Sequence, residues 1–191
     1  MTRNNEPALI VVDMQQGFYE ESWGQTTNYP GCENNVDRLL SAWSEFQLPV
    51  VIVRHDSRNP TSPLFAEGPG NNLQESVQAV TPDLIVTKTV NSSFYGSPDL
   101  EQWLRSKEIS RIVVCGIQTN LCVETTSRMG GNLGFEVIVP LDATRTFDLA
   151  GPDGAVIPAA TLMQVTATNL HGDGFAQVVS TQDVLDSLKQ V

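Results

Sequence analysis

At 191 residues, with 40% hydrophobic and 17% charged content, the chain can bury one sizeable core and is expected to form a single domain over residues 1–191. Its net charge of −11, from 22 acidic and 11 scattered basic residues, opposes binding to nucleic acid or to an anionic membrane. The sequence has no apolar run of membrane-spanning length, MTRNNEP lacks an apolar signal segment, and the three cysteines form no C-x-x-C pair, so a cytoplasmic protein without a disulfide framework is expected.

Ala8 to Val12 is a continuous apolar run ending in Asp13, the pattern of a central strand buried on both faces. Met14 to Pro30 reads as an aromatic-rich loop. Asn34 to Phe46 carries Val36, Leu39, Leu40, Trp43 and Phe46 at helical spacing. Val50 to Val53 is a second strand, leading into Arg54-His55-Asp56-Ser57. From Arg58 to Pro82 no periodicity is sustained, and a loop that long in a compact domain is usually functional. Leu84 to Thr87 is a third strand with Lys88 at its end. Ser97 and Pro98 read as the N-cap and first position of a helix running through Leu104. Arg111 to Cys115 is a fourth strand, followed by a helix that closes near Gly134. Glu136 to Val139 is a fifth strand, Ala155 to Leu170 a helix, Phe175 to Val179 a last strand, and Val184 and Leu188 belong to a terminal helix.

Buried strands joined by helical crossovers imply a doubly wound, three-layer α/β/α fold with a central, mainly parallel six-stranded sheet. Ligands of such sheets bind beyond the carboxyl ends of the strands, where strand order reverses. Asp13, Lys88 and Cys122 all follow strands and should meet at that edge. Cys122 sits where strand turns into helix, and free N–H groups with the helix dipole would favour its thiolate. The thiolate could attack a carbonyl carbon. Asp13 could accept and return the proton, and Lys88 could hold the two charges together or stabilise the intermediate's oxygen. Backbone N–H groups between Gln118 and Cys122 could form an oxyanion hole. Cys115, inside its strand, reads as a core residue.

VVDMQQGF around Asp13, TKTVNSSFYGSPDL around Lys88, and GIQTNLCVETTSRMGGNLGFEVIVPLDAT around Cys122 resemble, in order, the motifs of the isochorismatase-like cysteine hydrolases. That group includes nicotinamidases and N-carbamoylsarcosine amidohydrolase, and the resemblance runs from about Ala8 to Val184. It implies an Asp13–Lys88–Cys122 triad and a non-proline cis peptide at Ile117–Gln118 that aims the Gln118 N–H at the oxyanion. Isochorismatases proper lack the cysteine, so Cys122 favours C–N hydrolysis of a small amide, carbamoyl or ureido compound. Isochorismatase-type ether hydrolysis and a non-catalytic binding role are the alternatives. Metal-binding nicotinamidases carry Asp-x-His and a further histidine. Here His55-Asp56 runs the other way and His171 is distant, so no metal or other cofactor is expected, and His55 reads as a pocket or loop-anchoring residue. Phe18, Leu64, Phe65, Tyr95, Gln118 and Leu121 are candidate pocket walls. The resemblance also implies a homo-oligomer, a dimer or tetramer, with the aromatic loop and the Phe147 region as candidate interface.

Overall fold

The computed structural model describes residues 6–189. In chain order the strands are β1 (Ala8–Val12), β2 (Val50–His55), β3 (Leu84–Lys88), β4 (Arg111–Ile117), β5 (Glu136–Pro140), β6 (Thr144–Arg145), β7 (Leu149–Ala150), β8 (Val156–Ile157) and β9 (Gln177–Val179). The α-helices are α1 (Gly31–Glu45), α2 (Glu75–Gln78), α3 (Leu100–Ser106), α4 (Glu124–Asn132), α5 (Ala159–Gly172) and α6 (Thr181–Leu188).

The main sheet has the order β3-β2-β1-β4-β5-β9, with β6 paired on the end of β4. Its pairings are all parallel. The seventh strand, β6, was not legible because two residues carry no periodicity. Side-chain alternation divides each central strand between two cores. Leu9 and Val11 of β1, Val50 and Ile52 of β2, and Val113 and Cys115 of β4 pack with Val36, Leu39 and Trp43 of α1 and Val184 and Leu188 of α6. Ile10, Val12, Val51, Val53, Ile112 and Val114 pack on the other face with Leu100 and Leu104 of α3 and Leu170 of α5. Burial on both faces explains why these strands are continuous apolar runs.

Element ends differ from expectation where polar side chains or proline decide them. Ser97 does not cap α3: its N–H donates to Thr87 O (2.8 Å) and its carbonyl accepts from Thr87 N–H (2.9 Å), extending the edge of β3. Asp99 caps instead, its carboxylate accepting from the Gln102 N–H at 2.9 Å. The expected helix from Ala155 begins only at Ala159, after Pro158, because Val156 and Ile157 pair antiparallel with Leu149 and Ala150. The segment 58–82 is not wholly irregular, containing a 3₁₀ turn at Pro69–Asn71 and the single turn of α2.

Strand order reverses between β1 and β4, the switch point at which an open sheet forms its crevice. Read across the sheet, the residues at or just beyond the strand ends are Lys88 on β3, His55 on β2, Asp13 after β1 and the Cys122 turn after β4.

Candidate active site

The turn after β4 begins with a close approach. Gly116 has φ +114°, and a Cβ there would collide with the backbone carbonyl of Val12 in the neighbouring strand. Only glycine meets both demands. This contact sets the end of β1, and hence Asp13, against the turn that carries the cysteine. β6 braces the turn from the other side, pairing Thr144 with Gly116 and Arg145 with Ile117. Thr119 Oγ1 donates to Thr144 Oγ1 at 2.9 Å, and Thr146 Oγ1 donates to the Gln118 side-chain oxygen at 3.3 Å. The Ile117–Gln118 peptide is cis. Thr119 to Val123 then form one wide π-type turn, with the Val123 N–H donating to Gln118 O at 3.1 Å, before α4 starts at Glu124.

Asp13, Lys88 and Cys122 meet here. Lys88 Nζ donates to Asp13 Oδ2 at 2.6 Å and to Cys122 Sγ at 3.3 Å. Asp13 is fully buried, Lys88 is 2% exposed and Cys122 8% exposed. Asp13 Oδ1 is buried with no hydrogen-bond partner among the described residues. A buried carboxylate oxygen left open in this way needs a physical reason.

The expected resting thiolate is not what the electrostatics give. Burial foremost, and then the Asp13 charge, push the Cys122 thiol up to about 12, against the opposing pull of the Lys88 cation. Desolvation thus favours the neutral thiol over the thiolate. Lys88 moves upward as well: burial opposes its charge, but Asp13 and Cys122 together more than offset that cost.

His55 does more than anchor a loop. In the β2–β3 register it lies beside Lys88, and its Nδ1 is 3.2 Å from Lys88 Nζ. The apolar signal stops at Val53, two residues short of the strand's end. Extending it to His55 would have placed the imidazole next to the amine. Lys88 Nζ therefore lies within hydrogen-bond reach of three groups, Asp13 Oδ2, Cys122 Sγ and His55 Nδ1. Asp13, His55 and Cys122 could each present a metal donor within 4.8 Å of the others. A metal held by all three would have to displace the ammonium already in contact with each.

The candidate pocket walls fall into different environments. Phe18 and Leu64 are 4% and 5% exposed and belong to the α1-side core, and Phe18 stacks on Phe147 with ring centroids 6.0 Å apart. Phe147 is itself 3% exposed and packs in the same core. Gln118 is buried, Phe65 and Leu121 are half-buried, and Tyr95 is 71% exposed. Asn91, for which the sequence carries little signal, places its side-chain oxygen 3.8 Å from Cys122 Sγ at an otherwise exposed position. The only sequence signal for it is its place three residues after Lys88.

A parallel sheet whose switch point gathers a carboxylate, an amine and a thiol defines a class of small α/β hydrolase. The match of residues 7–182 to the isochorismatase domain model places the chain within that class: it belongs to the isochorismatase family of hydrolases. It is 36% identical to the uncharacterized isochorismatase family protein YrdC of Bacillus subtilis (strain 168), over 94% of each chain. It is 29% identical to nicotinamidase 3 of Arabidopsis thaliana, over 98% of this chain and 93% of the relative. A crystal structure described as an isochorismatase-family hydrolase, from Chromobacterium violaceum ATCC 12472, superposes with a TM-score of 0.91 at 32% identity, covering 100% of this chain and 97% of that one.

Proposed function

We propose that this hydrolase is a cysteine amidohydrolase that cleaves the C–N bond of a small amide, carbamoyl or ureido compound. The observation that carries the reading is the buried contact of Lys88 Nζ with both Asp13 Oδ2 and Cys122 Sγ, beside an unpartnered Asp13 Oδ1. A likeness to a protein named nicotinamidase, which acts on an amide, supports the bond class.

The chemistry follows from these positions. Substrate entry displaces water, and Cys122 passes its proton to Asp13 as Sγ attacks the carbonyl carbon. Lys88 stabilises the thiolate as it forms. The oxygen of the tetrahedral intermediate takes its hydrogen bonds from the backbone N–H groups of Gln118 and Cys122, each donor typically worth about 3–4 kcal/mol. Collapse breaks the C–N bond, and the leaving nitrogen takes the proton from Asp13. Asp13 then deprotonates a water molecule that attacks the thioester, releasing the acid and returning the proton to Cys122.

The test is an ammonia-release screen over small amides and ureido compounds, with Cys122→Ala as the control. Turnover is expected for the native chain, with a fall of at least about 10⁴-fold in the variant while its circular dichroism stays unchanged. Full activity in Cys122→Ala would sink the reading. Hydrolysis of isochorismate without any ammonia-releasing activity would move the enzyme to vinyl-ether cleavage.

A further inference from the structure

We propose that His55 is a positioning residue of this site: its Nδ1 lone pair takes the third proton of Lys88 and so pins the ammonium between Asp13 and Cys122. The inference rests on the amidohydrolase reading for its consequence, but its geometry stands apart from any substrate.

An ammonium has three protons and no lone pair, so its direction is set by what accepts them. Two go to Asp13 Oδ2 and Cys122 Sγ, and His55 Nδ1 at 3.2 Å is placed for the third. This requires Nδ1 to be bare, which puts the imidazole proton on Nε2. A protonated ring would instead set two cations 3.2 Å apart.

The fold takes trouble to fix this ring. Gln15, fully buried and two residues after Asp13, clamps the His55 backbone from both sides: its Oε1 accepts from the His55 N–H at 2.8 Å and its Nε2 donates to His55 O at 3.0 Å. Asn71 Nδ2 donates to the same carbonyl at 3.0 Å. One short segment, Asp13 to Gln15, thus places two of the three acceptors around Lys88, one directly and one through the clamp. A lysine held at only two points could swing about the remaining axis. The third contact removes that freedom.

The charged groups facing the ring are Lys88 on β3, Asp13 after β1, Asp56 beside it on its own strand end, and Cys122 from the turn after β4. Asp56 is itself bound by Arg54 at 2.8 Å. Burial first and the Lys88 cation second hold the ring below its ordinary 6.5, against Asp13 and Asp56, so His55 is neutral at pH 7.

The chain has only two histidines, His55 and His171, so long-range ¹H–¹⁵N NMR with His171→Gln for assignment reads the ring directly. The expected result at pH 7 is a neutral ring protonated on Nε2; an Nδ1-protonated ring or an imidazolium overturns the proposal. The consequence for chemistry is read by iodoacetamide alkylation of Cys122 at pH 8, followed by peptide mass spectrometry. Removing the acceptor in His55→Leu should release Lys88 and slow alkylation about tenfold, the loss of one pKa unit of thiol acidity. His55→Gln, whose side-chain oxygen can accept the same proton, should stay within about threefold of the native rate, about half of that free energy. Equal rates for His55→Leu and the native chain, or equal slowing by both variants, overturn the proposal. A native Cys122 that resists alkylation altogether, with no amide turned over, counts instead against the amidohydrolase reading and leaves the NMR result to judge His55.

Discussion

At the scale of single residues, the site depends most on a position that does no chemistry. Gly116 combines φ +114° with backbone contact against Val12, and relaxing either one separates Asp13 from the cysteine turn. Gly116→Ala should cost more than about 2 kcal/mol, from strain at positive φ plus a clash that only backbone movement relieves. Urea unfolding would measure the stability loss, and alkylation of Cys122 in the folded fraction would show whether the site has also opened. A native-like midpoint would mean that β1 and β4 yield more easily than their packing suggests. Asp13, Lys88 and Cys122 were legible because each ends or follows an apolar run, and such runs show where strands stop. His55 and Asn91 were not. The last two residues of β2, Arg54 and His55, are polar on a strand otherwise buried on both faces, so the apolar signal fades before the strand does. Asn91 lies in a loop, where side-chain direction follows from turn geometry and not from periodicity. The upward push on the Cys122 thiol is hidden for a related reason: a helix end can be read from sequence, whereas depth of burial is a tertiary property.

At the scale of elements, the brace behind the turn depends on a buried ion pair. Arg145 on β6 donates through Nε to Glu33 Oε1 on α1 at 2.7 Å, and its side chain is 1% exposed. The guanidinium also lies 5.1 Å from the Phe147 ring centroid and 5.5 Å from that of Tyr29. The pair ties the face of α1 to the strand that holds Gly116 and Ile117 in place. Arg145→Met should destabilise by about 3–5 kcal/mol, because Glu33 would be left charged and buried without its partner. The double variant Arg145→Met, Glu33→Gln should recover much of that loss in a denaturant titration. Additive losses would mean that the pair's value lies in Arg145 packing on the rings and not in its charge. Nothing at sequence level announces this link, since 112 residues separate the partners. Helices with a long apolar stripe, such as α1, were legible to within a few residues. Starts set by a single polar contact or a proline, as at Asp99 and Pro158, were displaced by two to four residues from Ser97 and Ala155.

At the scale of the whole molecule, alternating strand and helix signals sufficed for a parallel three-layer fold. They could not rank the strands, because order across a sheet depends on crossovers that local sequence does not encode. That architecture buries all three thiols of the chain: Cys32 on α1, Cys115 on β4 and Cys122 at the site. Burial is the leading cause that raises each of them above the ordinary thiol value of 9.0, with Glu33 adding to the effect on Cys32 and Asp13 to that on Cys122. The sign follows from the raised folded-state values. The unfolded chain gives up these protons first, so their stabilising effect is complete below pH 9.0 and is lost as pH rises towards the folded-state values, about 12 for Cys122. Each thiol then costs about 1.4 kcal/mol per pH unit, and three together about 4 kcal/mol per unit, a large share of a typical domain's stability of about 5–15 kcal/mol. Between pH 9 and 10 the thiols dominate this loss, since Tyr19 and Lys88, also raised, have ordinary values of 10.0 and 10.5 and join only above that window. Urea midpoints at pH 8, 9 and 10 should therefore fall steeply over the last step. Cys115→Ala should be less stable than the native chain at pH 8, because it leaves a cavity, yet lose about one third less stability per pH unit, since one of three buried protons has gone. Parallel pH profiles for the two proteins would show that the buried thiols do not set the alkaline limit of this fold.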